Sequence, residues 1–262
     1  GSGRQRCSCG PRNLCRRATR RLKGNLMPST DRYALYFAPA PDTAIWLFGI
    51  GWLGRDPISG AAIPQPQVPG LSTVKLAAAT ESPRNYGFHA TMKPPFHLAD
   101  GTSADALIAE AWNFASLHQS FDAPPVSIQR IGRFQAFALT TSSPEMNQLA
   151  ADCVTHFDRF RAPPSEAELA KRRERGLTDR QEHYLQTWGY PYVMEEFRFH
   201  MTMLGSNRDE TVHDAVTAYL TPKAAIFAKE PLHVDAICLY RQEKREAPFL
   251  LVERFPFSGA RA

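Results

Sequence analysis

Phe88-His89-Ala90-Thr91-Met92 and Phe199-His200-Met201-Thr202-Met203 agree at four of five positions. Both segments are strand-like, rich in aromatic residues, methionine and threonine. Alternate side chains of a strand share a face. His89, Thr91 and Lys93 are therefore expected on one side of the first strand, with Phe88, Ala90 and Met92 on the other. His200 and Thr202 oppose Phe199, Met201 and Met203 in the same way. Each strand then offers an apolar face to a core and a His/Thr face to a cleft.

Outward from the two strands, the rest of the pattern is mixed. Arg32–Pro39 reads as a first strand and Thr43–Leu53 as a short helix. Arg55–Val74, rich in Gly and Pro, reads as an excursion loop, and Asn85–Lys93 as the first motif strand. Ser103–His118 has helical periodicity behind a Ser cap, Val126–Ile131 and Phe134–Thr140 suggest a hairpin, and Ser143–Phe160 a second helix. Arg161–Gln181 is highly charged and reads as a surface helix or insertion, extending to about residue 189. Phe197–Leu204 is the second motif strand, Asp209–Leu220 a helix stopped near Pro222, and His233–Tyr240 and Phe249–Phe255 a closing pair of strands. The order His-x-Thr strand, helix, strand, turn, strand thus occurs twice, over Asn85–Thr140 and Glu196–Phe255. The expectation is an α+β fold: two pseudo-symmetric lobes, each an antiparallel sheet with helices packed outside, with the cleft between them.

The net charge of +5 would suit a nucleic-acid binder, but its location does not. Eight of the 31 Lys and Arg lie in residues 1–26, which hold no Asp or Glu; the remainder carries 23 against 26 acidic residues. The basic stretch is read as a disordered extension upstream of a start at Met27, ahead of a targeting segment or a genuine basic arm. Residues 27–262 are expected to form one bilobal domain. Cys7, Cys9 and Cys15 match no zinc spacing, and Cys153 and Cys238 read as reduced core residues. No run approaches the roughly 18 apolar residues of a membrane span. A cytoplasmic monomer without disulfides, membrane contact, metal or cofactor is expected.

Two histidines facing one cleft suit acid–base work on a phosphoester. Imidazole titrates near a pH of about 6.5, so a pair can hold one neutral and one protonated ring. His89 and His200 are the catalytic candidates. Thr91 and Thr202 are placed on non-bridging phosphate oxygens, and Lys93 near developing negative charge. Tyr33, Arg84 and Tyr86 are further substrate-binding candidates; parity lets only one of Tyr33 and Tyr36 face the cleft, and Tyr33 is preferred. Tyr190 and Tyr192 could form a lid, and Lys171-Arg172-Arg173 reads as a solvated helix face.

At these residues the chain resembles the 2H phosphoesterase superfamily, named for its paired His-x-Thr/Ser motifs. The words RYALYFAP (32–39), WLGRDP (52–57), RNYGFHATMKPPF (84–96), GLTDRQ (176–181) and WGYPYVMEEFRFHMT (188–202) are similar to a bacterial branch associated with phosphonate catabolism by the carbon–phosphorus lyase pathway. The resemblance implies a two-lobe fold, both histidines as general acid and base, both threonines as phosphate binders, and a small phosphorylated sugar, 5-phosphoribosyl 1,2-cyclic phosphate, as substrate. The competing expectations are an RNA 2′,3′-cyclic phosphodiesterase or 2′-5′ RNA ligase-like enzyme and a non-catalytic module binding phosphorylated metabolites. The acidic body disfavours nucleic acid.

Overall fold

The aromatic first strand forms β1 (Arg32–Phe37) and leads into α1 (Ala44–Leu53). The Thr43 side chain accepts from Trp46 N–H at the start of α1, and Gly54 closes its end in the left-handed region. A computed structural model of the chain describes residues 30–174 and 176–258. The expectations for residues 1–26, for Cys7, Cys9 and Cys15, and for Met27 lie outside them.

Two short helices, α2 (Thr73–Ala79) and α3 (Glu81–Tyr86), stand between the excursion loop and β2 (Ala90–Phe96). They are too short to imprint a helical period on the sequence. Strand β2 begins later than expected and continues through Pro94-Pro95. Then come α4 (Ala104–Ser116), β3 (Phe121–Ala123), the hairpin β4 (Val126–Ile131) and β5 (Phe134–Leu139), and α5 (Pro144–His156). The charged segment holds α6 (Glu166–Arg173) and α7 (Asp179–Trp188), each opened by a reciprocal cap, Ser165 with Glu168 and Thr178 with Gln181. The chain closes with β6 (His200–Leu204), α8 (Glu210–Ala224), β7 (Leu232–Val234), β8 (Ala236–Gln242) and β9 (Leu250–Pro256). Helix α8 carries Pro222 in its last turn instead of stopping before it.

The fold is α+β with antiparallel sheets. Seven strands run in the order β4-β5-β6-β2-β1-β8-β9, and β3 pairs with β7 separately. The two motif strands are neighbours at the centre, joined through one residue pair, Ala90 with Met201. That pair divides the sheet into β6-β5-β4 on one side and β2-β1-β8-β9 on the other.

An approximate two-fold relation runs through this junction. It matches β1 with β5, α1 with α5, β2 with β6, α4 with α8, β3 with β7, and β8 with β4. Helix α1 precedes β2 in the chain but packs against β6, and α5 precedes β6 but packs against β2. Helix α4 covers β8 and β9 while α8 covers β4. The spatial repeat therefore begins one strand earlier than the sequence repeat. The hairpin β4–β5 that follows the first motif joins the second motif strand, because β5 and β1 hold equivalent places. Buried Phe88, Ala90, Met92, Met201 and Met203 join the core beneath the junction.

Candidate active site

Each motif histidine is fixed by the carbonyl two residues before it. His89 Nδ1 lies 2.9 Å from Gly87 O, and His200 Nδ1 lies 2.7 Å from Arg198 O. A carbonyl only accepts, so both Nδ1 atoms carry the hydrogen and both Nε2 atoms hold a lone pair. Thr91 Oγ1 is 3.3 Å from His89 Nε2 and donates to it. Gly87 has φ +86°, and a Cβ there would lie 3.0 Å from Pro57 Cβ. Only glycine turns its carbonyl toward His89 without strain.

Continuing the Ala90–Met201 register one residue each way sets His89 opposite Thr202 and Thr91 opposite His200. The four side chains share one strand face, with the histidines on a diagonal of roughly 7–8 Å, as is usual for such pairs. All four line a cavity of about 750 Å³.

Burial stabilises the uncharged form of both rings. It pushes His89 down to about 4, against the Gly87 carbonyl, which favours the charged ring; the charge of His200 adds to the lowering. His200 is lowered by burial too, opposed by its bond to Arg198 O.

Tyr36, not Tyr33, belongs to the cleft. Its ring stacks on His89 at 3.7 Å between centroids, and it sits opposite Thr91 across β1–β2. Tyr33 faces the other way, toward Asp31 and Phe96. Lys93 is likewise displaced from the cleft. The register steps from Tyr36–Thr91 to Leu35–Lys93, so Met92 is an extra residue and the alternation slips by one. Lys93 is turned to the core at 1% exposure, donating to Val154 O at 2.9 Å and to Asp158 at 3.1 Å. It thus caps the carbonyl end of α5. The pair is unequal: burial lowers Lys93 to about 8, while Asp158, shared with Arg161, is held below the usual carboxylate range. Arg84 is also spent on structure, donating to Leu53 O, Ala77 O and the Thr80 hydroxyl. Tyr86 does line the cavity, stacked on Phe249.

The 161–199 segment builds the far wall; of its members the sequence pointed to Tyr190 and Tyr192, as a lid, and not to the others. Tyr190 and Tyr192 line it with Val193, Met194, Glu196 and Arg198. Arg172, from the run read as solvated, also lines the cavity, its guanidinium 4.6 Å from the centre of the Tyr190 ring. Glu196 accepts from Arg180 at 2.7 Å and from Gln181 at 2.9 Å, tying the wall to α7. Arg198 was legible by parity, since it lies two residues before His200 on the same face. Among the described residues, no group of three or more His, Cys, Asp or Glu could hold a metal ion. No described helix is long and apolar enough to cross a membrane.

A family model described as "Protein of unknown function (DUF1045)" matches residues 91–250. Two curated relatives carry the name ribose 1,5-bisphosphate phosphokinase PhnN. The one from Janthinobacterium sp. (strain Marseille) is 40% identical over 238 residues, 88% of this chain and 52% of its own length. The one from Laribacter hongkongensis (strain HLHK9) is 31% identical over 223 residues, 84% of this chain and 50% of its own length. The chain thus spans about half the length of the curated relatives it matches. A solved structure of E. coli LigT complexed with 3′-AMP is similar over 87% of this chain and 98% of that one, at 12% identity and a TM-score of 0.40.

Proposed function

We propose that this chain, which belongs to the DUF1045 family, is a metal-independent cyclic phosphodiesterase that opens a small sugar cyclic phosphate. The observation that carries the reading is the pair of Nδ1-anchored histidines presenting Nε2 to one cavity, each across from the other's threonine. In the reaction, one Nε2 takes a proton from water as its oxygen bonds to phosphorus. The other ring, protonated, gives its Nε2 proton to the sugar oxygen as that P–O bond breaks. Water is added and the ring opens to a monoester. His89, held neutral down to about 4, is the base, and His200 is the acid. Thr202, and Thr91 once substrate displaces its hydroxyl from His89 Nε2, donate to the non-bridging oxygens.

The name of the two relatives supports a ribose phosphate. Opening 5-phosphoribosyl 1,2-cyclic phosphate at its O2–P bond leaves ribose 1,5-bisphosphate, the compound in that name. We assign kinase activity to the part of those relatives that this chain does not span. The present sequence has no Gly-x-x-x-x-Gly-Lys-Ser/Thr, and no Gly-Lys pair at all.

Phosphorus NMR of the ribose cyclic phosphate tests this. Ring opening should fall about 10²–10⁴-fold in His89→Ala and in His200→Ala, and should survive a chelator. Undiminished turnover in both variants, or loss on chelation, would sink the mechanism.

A further inference from the structure

We infer that the far wall of the cleft holds a second anion subsite, formed by Arg172 and Arg198, for a phosphate monoester on the same substrate. The cavity is large for one cyclic phosphate: about 750 Å³ suits a whole small-molecule ligand.

The arginines of the 161–198 segment divide sharply among the described residues. Arg161 is paired with Asp158 at 2.8 Å, Arg173 with Glu182 at 2.7 Å and Arg180 with Glu196 at 2.5 Å. Arg172 and Arg198, the two that line the cavity, form no ion pair with a carboxylate among the described residues, although Glu196, held low first by Gln181 and Arg180, also feels the charge of Arg198. Arg172 rests over the face of Tyr190, a cation–π contact that uses none of its N–H donors. Glu196 is the acidic residue in the lining, and both its oxygens are occupied, one by Arg180 and the other by Gln181. Its charge is thereby matched within the wall instead of opposing an incoming anion.

Two matched ends follow. The histidines and threonines take the cyclic diester, and the two arginines take a dianionic monoester, which they bind better than a singly charged group. Two discrete cations fit one terminal phosphate on a small sugar. A polynucleotide would call for a basic track along the surface.

The assignment of the histidine end rests on the reading above, so the test has two arms. The first compares kcat/KM for 5-phosphoribosyl 1,2-cyclic phosphate and for ribose 1,2-cyclic phosphate, which lacks the monoester. Arg172→Met and Arg198→Met should each lower the phosphorylated value by about 10- to 100-fold. The unphosphorylated value should stay within about twofold. Equal loss on both substrates, or no loss on either, overturns the subsite. The second arm titrates ribose 5-phosphate into the same proteins by calorimetry and needs no turnover. Weakening of about tenfold or more in each variant sustains the subsite even if neither cyclic phosphate is opened. No binding to the unsubstituted protein, or equal binding to all three, overturns it.

Discussion

His89 and His200 have the same tautomer for the same reason, a carbonyl two residues back, yet they are not equivalent rings. His89 lies beneath Tyr36 and beside Gly87, and it stays neutral until about pH 4. His200 is lowered by burial, against the opposing effect of its bond to Arg198 O. The proposed mechanism needs His89 neutral and His200 protonated. Activity is therefore lost as pH falls through about 4 and as pH rises through the value of His200, which lies below the ordinary 6.5. The profile of kcat/KM should peak between those limits, and a maximum above pH 8 would contradict the roles assigned. At this scale the sequence was readable as far as strand parity held. Parity brought His89, Thr91, His200 and Thr202 together. It failed at Lys93 because a bulge leaves no mark in composition, and the choice between Tyr33 and Tyr36 needed the neighbouring strand.

Helix α1 explains how the first motif strand is held against the core. A Cβ on Gly49 would lie 2.3 Å from the Phe88 ring, so the phenyl group packs directly on the helix backbone. Gly49→Ala should destabilise the protein by about 1–3 kcal/mol by overpacking, and should also slow turnover, because Phe88 adjoins His89. Chemical denaturation and kinetics on one sample measure both. The same helix reaches the second motif strand, where Trp52 Nε1 donates to Met203 O at 2.7 Å. Lys93 makes a corresponding tie between β2 and α5. Lys93→Met should cost about 1–3 kcal/mol, since the α5 carbonyl loses its donor while Asp158 keeps Arg161. Its kcat should stay within about twofold of the parent; a loss of a hundredfold would restore Lys93 to the cleft. Most long elements were legible from periodicity and caps. The capping boxes at Ser165 and Thr178 would have split the charged segment into two helices. Nothing in one sequence says that Arg172, on the first of them, turns back over Tyr190.

Over the whole molecule, the exchange of α1 and α5 ties the halves of the sheet together although their strands meet at one residue pair. Neither half buries its core without a helix supplied from the other. Unfolding should be a single transition, with calorimetric and van't Hoff enthalpies in agreement; two resolved transitions would mean that the halves stand alone. The α+β class and the duplication were legible in the sequence, but the repeat boundary was not, because spatial equivalence follows pairing and crossover more than order along the chain. The junction also bears on how such a cleft could arise by gene duplication. A polypeptide with one strand–helix–strand unit would assemble the four-residue His/Thr cluster only by dimerising, and symmetry would force both ends of its cleft to be identical. Joining two units in one chain lifts that constraint. One copy alone could then acquire the 161–199 wall, giving a substrate with different ends a single direction in which to lie.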